Sequence, residues 1–84
     1  MKITLKLFAS LTEYLPLPSR IGNQIELVVQ PSATISQVIQ PFGLPDKQVH
    51  LVLVNGKYIA PADRALYPLK ADDVLAIWPP IAGG

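Results

Sequence analysis

The chain has 84 residues, half of them hydrophobic and 15% charged, with a net charge of +1, no cysteine and a single histidine. That length makes one domain with little surplus core, and the missing cysteines and lone His50 exclude disulfides, thiolate or multi-histidine metal sites and a cysteine nucleophile. The lysines and arginines are scattered and no apolar stretch approaches a membrane span, so neither a nucleic-acid-tracking surface nor a membrane partner is expected.

Nine prolines mark most of the element boundaries. Lys2 to Phe8 alternates, with Ile3, Leu5 and Leu7 on one face and Lys2, Thr4 and Lys6 on the other, which predicts a half-buried strand. This start has no basic patch leading into a long apolar run, so no signal peptide is expected and the cytoplasm is the expected compartment. From Ala9 to Leu15 the period changes to a short helical face carrying Leu11, Tyr14 and Leu15, which Pro16 and Pro18 end. Ser19 to Asn23 reads as a turn, and Gln24 to Gln30 alternates again with Ile25, Leu27 and Val29 inward. Val28 falls on the outer face.

Thr34 is placed as a helix N-cap with Gln37 as its capping-box partner. Ile35, Val38, Ile39 and Phe42 follow at the spacing of an apolar stripe laid on a sheet, and Pro41 is expected to distort or end that helix early. Val49 to Val54 is apolar except for His50 and predicts a strand covered on both faces over part of its length. Asn55-Gly56 is a hairpin signal, with Lys57 to Ile59 as the return strand. Pro61 to Ala71 is irregular, and Val74 to Trp78 is the last strand. Phe8, Leu75, Ile77 and Trp78 are candidates for an exposed apolar patch, with core as the alternative for each. In the last strand Leu75 and Ile77 share one face and Val74, Ala76 and Trp78 the other, and since both are apolar one is a candidate docking surface. The expected architecture is α+β, a β-grasp: a mixed sheet of four to five strands crossed by one main helix, with short helical turns.

The domain is expected to occupy residues 1–78 and to release an extended tail over residues 79–84. Pro79-Pro80 cannot continue a sheet ladder, and six extended residues span roughly 20 Å. Gly83 and Gly84 carry no side chain, so a chain end of that shape can enter a narrow channel that any Cβ would block. A terminal carboxylate is inert until ATP-dependent adenylation makes it an electrophile; a sulfur donor then converts it to a thiocarboxylate. A carrier used in that way needs no base, metal or nucleophile of its own. The residues alone leave a second reading open, in which Gly83-Gly84 is a frayed or incidental chain end. Two terminal glycines arise by chance in roughly 0.5% of chains, too rare to ignore and too common to decide. His50 reads as a surface or half-buried strand residue, and Asp72-Asp73 as a solvated turn in preference to a metal site.

Trp78-Pro79-Pro80-Ile81-Ala82-Gly83-Gly84 resembles the ending of the MoaD/ThiS family of ubiquitin-like sulfur carriers. Leu7-Phe8-Ala9-Ser10-Leu11-Thr12-Glu13 is similar to the strand-to-helix segment of the MoaD branch, and Leu53-Val54-Asn55-Gly56-Lys57 to its central hairpin. The resemblance implies a protein substrate, not an enzyme, whose Gly84 carboxylate and adjoining Gly83 form the reactive site. It implies partner contacts at Phe8, Trp78, Pro79, Pro80, Ile81 and Ala82. It also implies three protein partners: a ubiquitin-activating-type adenylating enzyme that uses ATP, a sulfur donor protein, and the large subunit of molybdopterin synthase. The ThiS branch would deliver sulfur to the thiazole of thiamine instead, and other uses include tRNA thiolation and protein tagging. The chain departs from the MoaD pattern at Thr12, where arginine is frequent, and at Ala71-Asp72-Asp73, where Asp-Gly-Asp is usual. Asp72 is therefore expected in a left-handed conformation.

Overall fold

Alternating Lys2–Leu7 forms β1, which buries Ile3, Leu5 and Leu7 almost completely. A computed structural model describes residues 1–81; Ala82, Gly83 and Gly84, and the expectations placed on them, lie outside the described residues. After β1 the chain turns through a 3₁₀ helix at Ala9–Tyr14 that sinks Leu11 into the core. A single helical turn follows, α1 at Leu17–Arg20. The turn expected at Ser19–Asn23 therefore starts earlier and is helical, because the fixed φ of Pro18 suits a first helical turn. Arg20 also ties it back, donating to the carbonyls of Glu13 (2.7 Å) and Leu15 (2.9 Å).

β2, Gln24–Val28, pairs antiparallel with β1 from Lys2↔Val28 to Lys6↔Gln24. α2, Ile35–Ile39, begins with the expected capping box. Its Gln37 N–H donates to Thr34 Oγ1 at 3.3 Å, and the Thr34 N–H donates to Gln37 Oε1 at 2.9 Å. Pro41 does end the α-helix early: Gln40–Phe42 tightens to a 3₁₀ turn and Gly43 closes it with φ +69°. β3, Leu51–Val54, and β4, Lys57–Tyr58, flank Asn55 and Gly56, whose φ values of +50° and +83° match a two-residue hairpin turn.

β5, Val74–Trp78, lies parallel to β1 and antiparallel to β3, so the strand order is β2-β1-β5-β3-β4. Parallel first and last strands at the centre of a mixed sheet, with α2 crossing one face, make the β-grasp arrangement expected from the sequence. Leu5, Leu7, Val52, Leu75 and Ile77 on the inner face pack with Leu11, Leu15, Ile35 and Leu69. Each fully buried side chain of this kind contributes about 1.5–3 kcal/mol relative to exposure. No helix among the described residues is long and apolar enough to cross a membrane.

The first four strands are each shorter than expected; β1 stops at Leu7 and β2 at Val28, and β3 and β4 are trimmed beside Arg64. Val49 and His50 stand outside β3, and His50 is an exposed loop residue. Their carbonyls accept from the Arg64 guanidinium, at 3.0 Å each, and the register sets Pro79, which has no N–H to donate, opposite His50. β4 stops at Tyr58, and the Ile59 carbonyl accepts from Arg64 Nε at 3.2 Å.

Candidate functional site

Since Ile3, Leu5 and Leu7 point inward, the next position, Phe8, falls to the outer side; in β5 the inward Leu75 and Ile77 send Trp78 to that same side. The parallel pair Leu7↔Ile77 then sets Phe8 beside Trp78, and the Phe8 N–H donates to the Ile77 carbonyl at 3.1 Å. The two rings stack face to face, with centroids 4.2 Å apart and planes within 2°. Such a pair adds about 0.5–1.5 kcal/mol beyond the area it buries. Ala9 turns the chain away from the stack at φ +52°, a left-handed conformation costly for alanine.

The stack marks the place where the chain leaves the sheet. Trp78 is the last residue of β5 and pairs with Leu51, and its carbonyl accepts the His50 N–H at 3.2 Å. Beyond it Pro79 is half-buried, Pro80 is exposed and Ile81 is 83% exposed, none of them in a strand or helix. The structure thus brings Phe8, Trp78 and Pro79 to one end of the sheet and places Pro80 and Ile81 outside it. The remaining predicted site residues, Ala82, Gly83 and Gly84, lie outside the described residues.

The apolar surface extends further than the sequence reading gave. Leu51 and Leu53 are half-buried on the outer face, and Leu53 pairs with Ala76 on one side and with Tyr58, 54% exposed, on the other. The run Val49–Val54 reads as a strand covered on both faces over part of its length; the structure buries Val52 and Val54 on one face and leaves Leu51 and Leu53 only half-buried on the other. The clue lay in Leu53 and Leu51 alternating with those two valines, but periodicity cannot say which apolar face goes uncovered. Across the rest of the outer face the surface turns polar, with Lys2, Thr4, Lys6, Gln24 and Glu26. Lys2 and Glu26 form an exposed 3.2 Å ion pair that adds little stability.

Asp72 adopts the expected left-handed conformation, φ +67°. Asp73 is a turn staple. Its carboxylate accepts from the Lys70 N–H and from Asn55 Nδ2, both at 2.8 Å, and Asn55 Oδ1 in turn accepts the Val74 N–H at 2.8 Å. Among the described residues no group of acidic or histidine side chains is arranged to hold a metal ion.

The model of the ThiS family matches residues 5–84, from the middle of β1 through the final glycine. The chain belongs to the ThiS family. Among solved structures, this ThiS-family chain is similar to SAMP1 from Haloferax volcanii, small archaeal modifier protein 1, at 26% identity over the whole of both chains with a TM-score of 0.67. The HVO 2177 protein of the same organism is 26% identical over all of this chain and 87% of its own, with a TM-score of 0.74. A chain of the complex of subunits 1 and 2 of molybdopterin-converting factor from Helicobacter pylori is similar at 19% identity over the whole of both chains, TM-score 0.63, a likeness of fold. No curated protein matches the chain.

Proposed function

We propose that this protein is a sulfur carrier whose Gly84 carboxylate is loaded and unloaded by other proteins. In the loading step the carboxylate attacks the α-phosphorus of ATP on an activating enzyme and expels pyrophosphate. A hydrosulfide ion released by a donor protein then adds to the acyl carbon and expels AMP, so that a C–S bond replaces the acyl C–O bond to phosphate and the chain end is left as a thiocarboxylate. The observation that carries this reading is the family match running through Gly83-Gly84 behind the Phe8–Trp78 stack. Pro79, Pro80, Ile81 and Ala82 serve as the side-chain-bearing part of the tail that a partner grips, and Gly83 gives the reactive end access to a narrow channel. The apolar outer face of β5, β3 and β4 is the docking surface for the activating enzyme and the receiving subunit. The chain is the carried substrate, and the catalysts are its partners.

The receiving protein is assigned as the large subunit of molybdopterin synthase, with the chain as the small subunit that supplies dithiolene sulfur. The Leu7 to Glu13 segment, the double proline and the similarity to one chain of a two-subunit molybdopterin-converting complex support that assignment. A ThiS-type delivery to thiazole uses the same chemistry up to the final acceptor. Similarity to SAMP1 favours a second reading, in which Gly84 is joined to lysines of other proteins. Intact mass spectrometry of the protein from its native host tests the first reading: a fraction with one oxygen replaced by sulfur is expected, and deletion of Gly83 and Gly84 removes it. Only plain carboxylate, with a ladder of heavier conjugates on denaturing blots, would establish the modifier in its place.

A further inference from the structure

Arg64 is the one charged residue buried in the described domain, 8% exposed, and no carboxylate lies within ion-pairing distance of it among the described residues. An arginine so placed costs free energy unless its donors are used. All three of its nitrogens are used, and every partner is a backbone carbonyl: Nε to Ile59 at 3.2 Å, Nη1 to Val49 and Nη2 to His50, both at 3.0 Å. Its own backbone is held as well, since the Arg64 carbonyl accepts the Ser36 N–H of α2 at 3.1 Å.

The Val49 carbonyl and the His50 N–H belong to one peptide unit. On one side that unit accepts from the guanidinium; on the other it donates to the carbonyl of Trp78 at 3.2 Å. A planar peptide transmits orientation rigidly, and a charge-assisted bond to its oxygen polarises its N–H into a stronger donor. The fork on two successive carbonyls also prevents the peptide from rotating, which a single-point ammonium would not do. We infer that Arg64 is a positioning residue that acts through the Val49–His50 peptide to fix the Trp78 carbonyl, and with it the direction in which Pro79 carries the chain away from the sheet. This deepens the sulfur-carrier reading and rests on it for its consequence: a partner finds the tail already aimed, because the last rung of the sheet is locked by a cation fourteen residues earlier in the chain.

The test is nuclear magnetic resonance on the labelled full-length chain, followed by loading in the native host. In the wild type the Nη groups of Arg64 give separate, slowly exchanging signals, and a through-hydrogen-bond coupling links the His50 nitrogen to the Trp78 carbonyl carbon. Averaged Nη signals or a missing coupling would overturn the inference without any substitution. In Arg64→Lys the His50 amide exchanges with solvent about tenfold faster or more, the loss expected for a charge-assisted bond. Meanwhile the β1–β2 amides keep their protection and the Phe8 ring signals shift as the stack loosens. Intact mass from the native host then gives a smaller sulfur-bearing fraction for Arg64→Lys than for wild type. Unchanged His50 exchange in a folded Arg64→Lys chain refutes the inference while leaving the carrier reading intact. A wild-type chain that is never sulfurated sinks the carrier reading, and the coupling and exchange measurements still decide the role of Arg64.

Discussion

Ala9 carries a backbone cost that its side chain does nothing to offset. A left-handed alanine is disfavoured by roughly 1–2 kcal/mol, and this one sits at φ +52° where the chain leaves β1 and Phe8 must be held against Trp78. Ala9→Gly removes the clash but gives the unfolded chain more freedom, worth roughly 0.5–1 kcal/mol in the opposite direction. The expected net effect is a gain of about 0.5–1 kcal/mol, read as a rise in the thermal midpoint. The sign is the test, since a relaxed backbone at this position would make the same substitution destabilising. Asp72, at φ +67°, is left-handed too, but aspartate tolerates that region better than alanine does.

Among the elements, α2 depends most on its ends. Five residues cannot form a helix alone in water, so the capping box and the burial of Ile35 and Val38 must hold it. Thr34→Ala removes the acceptor for the Gln37 N–H and is expected to cost about 1 kcal/mol in denaturant unfolding. A loss well below half of that would mean that the neighbouring bridge between Thr34 and Pro68 carries the segment instead. The cap was legible in the sequence because it is local chemistry between Thr34 and Gln37. The β1 and β2 alternation, the Pro79-Pro80 stop after β5 and the Asn55-Gly56 turn were legible for the same reason: each is a rule about neighbours. What stayed hidden was non-local. Arg64 lies in a stretch that reads as irregular, and nothing in its neighbours foretells that it will claim the carbonyls of Val49 and His50, fourteen and more positions earlier. At the site, the sequence places Phe8 and Trp78 in one candidate apolar patch with Leu75 and Ile77, but the structure buries Leu75 and Ile77 completely; that Phe8 and Trp78 stack on each other follows only from the parallel register of β1 against β5.

At the scale of the whole molecule the outer face of the sheet is divided. The β5-β3-β4 half carries Val74, Ala76, Trp78, Leu51, Leu53 and Tyr58, and the β1-β2 half carries Lys2, Thr4, Lys6, Gln24 and Glu26, with Val28, 87% exposed, as its one large apolar residue. A lone exposed valine on an edge strand is ordinary, whereas a contiguous apolar half that also roots the tail is where, under the proposed carrier function, a partner would gain most by docking. The two halves therefore respond differently to the same insult. Leu53→Glu sets a carboxylate in the centre of the apolar half, and Val28→Glu sets one on the polar half. Val28 is exposed and its change costs no more than about 1 kcal/mol, whereas Leu53 is half-buried and its change costs about 1–3 kcal/mol, so loading is compared only between chains that both unfold cooperatively. Expressed in the native host and weighed intact, the Leu53→Glu chain is expected to lose its sulfur-bearing fraction by about tenfold or more, the penalty for a charge buried at the centre of an interface. The Val28→Glu chain is expected to load as the wild type does. Equal loading of both would remove the apolar half as the docking surface, and selective failure of Val28→Glu would move that surface to the β2 edge.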